Sequence, residues 1–228
     1  MLMISFLMSL AMSVEPSFRS PDDFQRWLTY YYLTPRPELV LPSIAFLDKE
    51  LQKTKGRSIA DESGRGGIRT FYAKVLEGNP DVVRQLSSAL PGLPAGQQKF
   101  ARDALIRCGS DLCLKAAGGP SLSAPRIVSG PDTLDDSWAA FLATGEDKYV
   151  LEVIEALPWV EVRGDVDRLV TGGAAKWSLE SNAYQHRRVL AACEKAAAQA
   201  SQPTRRLLLE IISNAKTQRA KTPPSEPK

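Results

Sequence analysis

Gly172–Arg187 reads GGAAKWSLESNAYQHR and gathers the residues best suited to chemistry: Trp177, Ser178, Ser181, Asn182, Tyr184 and His186, the only histidine. On a helix, Ser178, Asn182 and His186 share one face at four-residue spacing, with Ser181 beside them. A hydroxyl near an imidazole begins a nucleophile–base pair, but it needs an orienting acid and an oxyanion hole. Nothing here has the GxSxG form of a strained nucleophile elbow. Serine and asparagine are weak choices for an exposed helix interior. The favoured reading is that these groups bond neighbouring loops and helix ends and fix how helices stack. A partner-binding face comes second and catalysis third.

Asp135 and Asp136, with Glu146, Asp147, Glu152 and Glu155, form an acidic group. Paired carboxylates about 5–10 Å apart can hydrolyse glycosides, yet first-turn acids more simply favour the positive end of a helix. Three cysteines (Cys108, Cys113, Cys193) and one histidine, without a CxxC pair, do not make a zinc site. The glycine-rich stretch Gly56–Gly67 lacks the GxxxxGK[ST] order and a preceding strand, so it is no phosphate loop. No catalytic residue, metal or cofactor is assigned.

The elements that must hold these residues follow from three twenty-residue windows that align without a gap. Leu28–Leu47, Phe71–Leu90 and Trp138–Leu157 each place Pro35, Gly78 or Gly145 at the eighth position. Val40, Val83 and Val150 stand at the thirteenth, and Leu47, Leu90 and Leu157 at the last. Helix, tight break and helix, used more than once, predicts an all-α fold of stacked antiparallel helical hairpins, an irregular helical repeat. Ser20-Pro21-Asp22-Asp23 starts the first helix by cap, proline and acid. Its apolar spacing predicts that Tyr31 and Leu28 point inwards while Tyr30 and Tyr32 face out. Further helices are expected over Glu38–Lys53, Gln97–Arg107, Asp165–Thr171, Ala174–Ala200 and Thr204–Lys216, and a cap at Asp132 or Thr133. Only Trp159–Arg163 alternates as a strand would.

Five segments result: a candidate signal peptide over 1–13, N-terminal hairpins over 14–107, an irregular loop or linker over 108–131, C-terminal hairpins over 132–216, and a disordered tail over 217–228. Met1–Met12 is apolar and too short to span a bilayer, and Ala11-Met12-Ser13 has the small-x-small form of a cleavage site. No Lys or Arg precedes it. Export to the periplasm or outside the cell is favoured over a cytoplasmic location. In an oxidising compartment Cys108 and Cys113 are a candidate disulfide, leaving Cys193 in a helix. The net charge of +3 is too small to argue for nucleic acid, and no stable membrane span is expected.

The hairpin pattern resembles tetratricopeptide and HEAT-type repeats, without the tetratricopeptide consensus or its 34-residue period. WAAFLATG…YVLEVIEAL followed by GGAAKWSLESNAYQH is similar to uncharacterised exported proteins of Gram-negative bacteria, with an echo at YYYLTPRPELV. That resemblance implies an exported α-helical protein and no activity. The expectation is a non-enzymatic helical-repeat interaction module of the cell envelope. Its protein-binding groove would use Tyr30, Tyr32, Trp138, Trp177, Asn182 and His186. The alternatives are an envelope hydrolase acting on a polymer or lipid, and an immunity or inhibitor protein with one tight partner.

Overall fold

The computed structural model describes residues 18–61, 66–119 and 129–227. The candidate signal peptide, the middle of the Gly56–Gly67 loop and residues 120–128 of the expected linker lie outside the described residues. Among those described there are eleven α-helices and no strand, so the fold is all-α.

The first hairpin is α1 (Pro21–Thr29) and α2 (Val40–Lys55), joined through a 3-10 turn at Pro37–Leu39. Ser20 caps α1 as its type suggests, its Oγ accepting from the Asp23 N–H at 3.2 Å. The second hairpin is α3 (Gly66–Glu77) and α4 (Pro80–Ala89), followed by α5 (Ala95–Cys108) and the short α6 (Asp111–Ala117). The third is α7 (Pro131–Thr144) and α8 (Asp147–Ala156). A 3-10 turn at Leu157–Glu161 replaces the alternating stretch, and α9 (Val166–Gln185), α10 (Arg187–Gln199) and α11 (Thr204–Lys221) complete the chain.

The repeat signature marks real packing positions. Val40, Val83 and Val150 are all fully buried, and Leu90 and Leu157 are buried behind them. The breakers act differently, however. Only Gly145 takes the left-handed conformation, at φ 71°, and the Tyr32 ring lies within 3.0 Å of where a Cβ would stand. Both facts require glycine there.

Two apolar cores share α7. Ala139 and Ala143 complete the N-terminal core around Phe71, Tyr72 and Phe100. Leu134, Trp138 and Phe141 belong to the C-terminal core with Val150, Leu179 and Leu208. The most extensive helix–helix contact is α3 against α7, so the two halves are packed together as well as linked in sequence. Close approach depends on small residues: a Cβ on Gly67 would meet the Asp135 carbonyl oxygen at 3.0 Å.

Four local expectations are corrected. Part of the irregular segment is helical, because Ser110 caps α6 by accepting from Cys113 N–H. The cap of α7 is Gly130, and Thr133 sits one turn in, its Oγ1 accepting from the Gly130 N–H at 3.2 Å. Asp165–Thr171 and the alanine-rich helix are one helix through Gly172-Gly173, which then breaks at His186. The expected disordered tail continues α11 to Lys221 and then runs extended across the molecule.

A buried carboxylate organises the N-terminal half. Asp48 accepts from the Ile59 N–H at 2.9 Å and from Ser58, Gln52 and Gln97. Burial favours its neutral form, but those four donors outweigh burial and hold its pKa below the ordinary 3.8.

Candidate functional site

Two sites lie at the seam between the halves. The larger is a cavity of about 880 Å³ between α3, α5, α7 and α8. Six of its charged side chains are matched in pairs. Arg69 faces Asp103 at 3.4 Å, Lys74 faces Glu77 at 2.5 Å and Arg107 faces Asp136 at 3.2 Å. Thr70 joins this group, donating to Asp136 and accepting from Arg107 Nη1 at 2.9 Å. Ser137 donates to Glu152 at 2.7 Å. The walls also carry Ala73, Ile106, Ala140 and Tyr149, and a cavity lined by paired charges and apolar side chains can hydrogen-bond an uncharged polar group.

The second site centres on His186. Extended backbone there (φ −117°, ψ 118°) ends α9 and begins α10, turning the imidazole into the interior. The ring is 0% exposed and packs against Tyr30, Tyr32 and Phe141, with centroids 5.4, 5.7 and 5.9 Å away. Its Nδ1 lies 3.1 Å from the Tyr32 hydroxyl, which in turn donates to Glu226 at 3.4 Å. One hydroxyl proton cannot serve both neighbours. When it goes to Glu226, His186 Nδ1 carries the hydrogen and donates to Tyr32. Burial, and after it the Arg219 guanidinium, pushes the imidazole down from 6.5 to about 4. Burial followed by the Glu226 charge pushes the Tyr32 phenol well above its usual value of 10. At neutral pH both are therefore uncharged, and neither is activated as a base or nucleophile.

Of the six expected site residues, Tyr30, Tyr32 and His186 meet in the interior, and Trp138, Trp177 and Asn182 do not join them at an open face. Tyr30 is 4% exposed and Tyr32 half-buried, so the tyrosine run turns inward as a whole. Two elements packed on α1's end cause this: Gln185 Nε2 donates to the Tyr30 hydroxyl at 3.4 Å, and Tyr32 N–H donates to the Leu142 carbonyl at 3.1 Å. Trp138 is 8% exposed and belongs to the core. Asn182 donates to the Ser178 carbonyl and Ser178 to the Ala175 carbonyl, both within α9. Ser178 and Asn182 thus remain on the helix while His186 leaves it. Trp177 alone of the six stands open, at 74% exposure. Cys108 and Cys113 are joined as a disulfide, with Cα atoms 6.1 Å apart, and Cys193 is a buried thiol.

The acidic residues near the third hairpin are engaged structurally. Asp136 binds Arg107, Asp147 binds Arg188 at 2.8 Å, and Glu146 binds Lys148 at 2.5 Å. Burial, with Asp132 and Asp136 nearby, raises the Asp135 carboxyl. Among the described residues no group of three or more metal-ligating side chains converges. No helix among them is long and apolar enough to cross a membrane.

Sequence reasoning passed over two features. One is Glu226, placed in a segment whose composition reads as solvated. The other is the exposed stripe Val166, Leu169, Val170 and Trp177 on α9. Its signal was present, since these residues recur at three-, four- and seven-residue spacing, but a buried face gives the same pattern. Comparison with protein-family models, with curated proteins and with solved structures gave no match.

Proposed function

We propose that this protein is a non-enzymatic helical scaffold of the bacterial cell envelope that binds another protein through α9. The observation that carries the reading is the apolar stripe. Val166 is 71% and Trp177 74% exposed, with Leu169 and Val170 between them. At 100° per residue these side chains and Gly173 fall within a sector of roughly 100°, along about 16 Å of helix. Residues 165–170 are exposed on every side, so the first turn of α9 stands clear of the core. Arg163 and Arg168 beside Asp165 and Asp167 leave the stripe without net charge. Its natural occupant is an apolar face of a partner, with Trp177 as the anchor.

The Cys108–Cys113 disulfide supports an oxidising compartment, in keeping with the candidate leader. Stacked hairpins sharing a central helix suit a scaffold in the manner of helical repeats.

The test is a photo-crosslinking residue at position 177 in living cells, with the same residue at Glu50 as control. A discrete product from position 177, lost when Val166 and Val170 are changed to Ser, supports the reading. The captured protein should then bind the purified chain, with Trp177→Ala weakening it by about 2 kcal/mol or more at an unchanged melting temperature. Identical products from both positions, or none from 177, would remove it.

A further inference from the structure

Thr222–Pro227 crosses the seam in an extended conformation; the Tyr184 hydroxyl donates to the Thr222 carbonyl at 3.1 Å at its start, and beyond that the segment is held chiefly at Glu226. The Glu226 side chain is 5% exposed, whereas Thr222, Pro223 and Ser225 are open to solvent. Its carboxylate accepts from the Arg187 backbone N–H at 3.1 and 3.2 Å and from the Tyr32 hydroxyl at 3.4 Å. The Arg187 and Arg219 guanidiniums stand 3.5 and 3.7 Å away. Because the N-cap of α10, His186, makes no side-chain cap, Glu226 fills that role from 39 residues away.

Every receptor group is fixed without it. Tyr32 is locked by its backbone bond to α7, Arg187 begins a thirteen-residue helix, and Arg219 is tied by Nε to the Ala183 carbonyl at 3.2 Å. The receptor also has more donor capacity than its tethered occupant uses. Arg219 Nη2 is buried with no hydrogen-bond partner among the described residues, although it faces Glu226.

We propose that this seam is a carboxylate-binding site occupied in cis by Glu226, and that an extended, proline-flanked acidic segment of another protein binds there by displacing it. An untethered carboxylate can seat against Arg219 in the bidentate geometry that Glu226 does not reach. Prolines at 223, 224 and 227 keep the segment extended and lower the entropy lost on docking, in the tail and in a ligand built like it. Beyond Thr222 the strap is held at one buried side chain, and such a segment opens at the low end of local stability. The site is separate from the α9 stripe and does not depend on it.

The test uses the full chain and a fluorescent peptide of sequence TPPSEPK, followed by anisotropy. Glu226→Gln removes the cis competitor, whose effective concentration is of millimolar order, so this chain should bind the peptide about tenfold or more tightly than wild type. The peptide with Gln in place of Glu should bind about tenfold or more weakly. Adding Arg219→Gln should abolish the gain. A second chain with Pro223, Pro224 and Pro227 changed to Gly keeps Glu226 but loosens the strap, and it should shift affinity in the same direction. Equal binding by both peptides, or no gain in either folded variant, overturns the proposal. A wild-type dimer that dissociates on Glu226→Gln also overturns it, because the occupant is then a second copy exchanging its own strap.

Discussion

Gly172 lies so close to the backbone of Val160 that a Cβ on it would stand 2.0 Å from the Val160 nitrogen and 2.4 Å from the Trp159 carbonyl carbon. Its neighbour Gly173 meets nothing within 4 Å. The pair that reads in sequence as a helix break is therefore a notch, cut where α9 rests on the Leu157–Glu161 turn.

Gly172→Ala must push backbone against backbone and is expected to lose about 3 kcal/mol or more. Gly173→Ala should be neutral or gain up to about 1 kcal/mol from helix propensity. Urea denaturation of the two variants checks this, and equal stabilities would remove the notch.

The two tryptophans should behave oppositely. Trp138 sits in the core at 8% exposure, and Trp138→Ala is expected to lose about 3–5 kcal/mol. Trp177, at 74%, should change stability by no more than about 0.5 kcal/mol. Thermal melts decide it. A large loss at Trp177 would mean that the stripe is covered within the chain itself.

Acid should destabilise the fold through His186. Its folded pKa of about 4 lies below the ordinary 6.5, so between those values the unfolded chain binds a proton that the folded chain does not. Stability is full above pH 6.5 and falls as pH drops towards 4, by about 3 kcal/mol from this group. Asp48, whose pKa is lowered from 3.8, adds its loss only at more acid pH. The single histidine makes the NMR titration unambiguous. A ring that titrates near 6.5 in the folded chain would refute the burial argument.

Thiol chemistry should report two classes, one buried free thiol and one bonded pair. Burial, then the Glu194 charge, pushes the Cys193 thiol up to about 12, so iodoacetamide should leave the native protein unlabelled. Denaturant should expose one thiol, and denaturant with reductant three. Reduction should remove about 2 kcal/mol, small because the bridge spans only five positions. Labelling of three thiols without reductant would show the bridge absent.

The hairpins were legible because their determinants are local. Ser20, Pro80 and Gly145 act within a turn of themselves, and Val40, Val83 and Val150 need only the helical period to declare a buried face. The inward turn of Tyr30 and Tyr32 was not legible, since one face of α1 meets α2 while its end meets α7 and α9. Nor was the break at His186, which carries neither glycine nor proline.

The sequence by itself determined an all-α chain and the place of most helices, because caps, breakers and short loops act over a few residues; it offered Cys108–Cys113 only as a candidate bridge. Only the tertiary structure decided which aromatics are core and where the carboxylate of Glu226 goes. Tyr32 meets His186 across 154 positions and Glu226 across 194. No local preference specifies such contacts. They form when two halves close on a shared helix, and the buried groups must then find partners wherever the closed fold brings them.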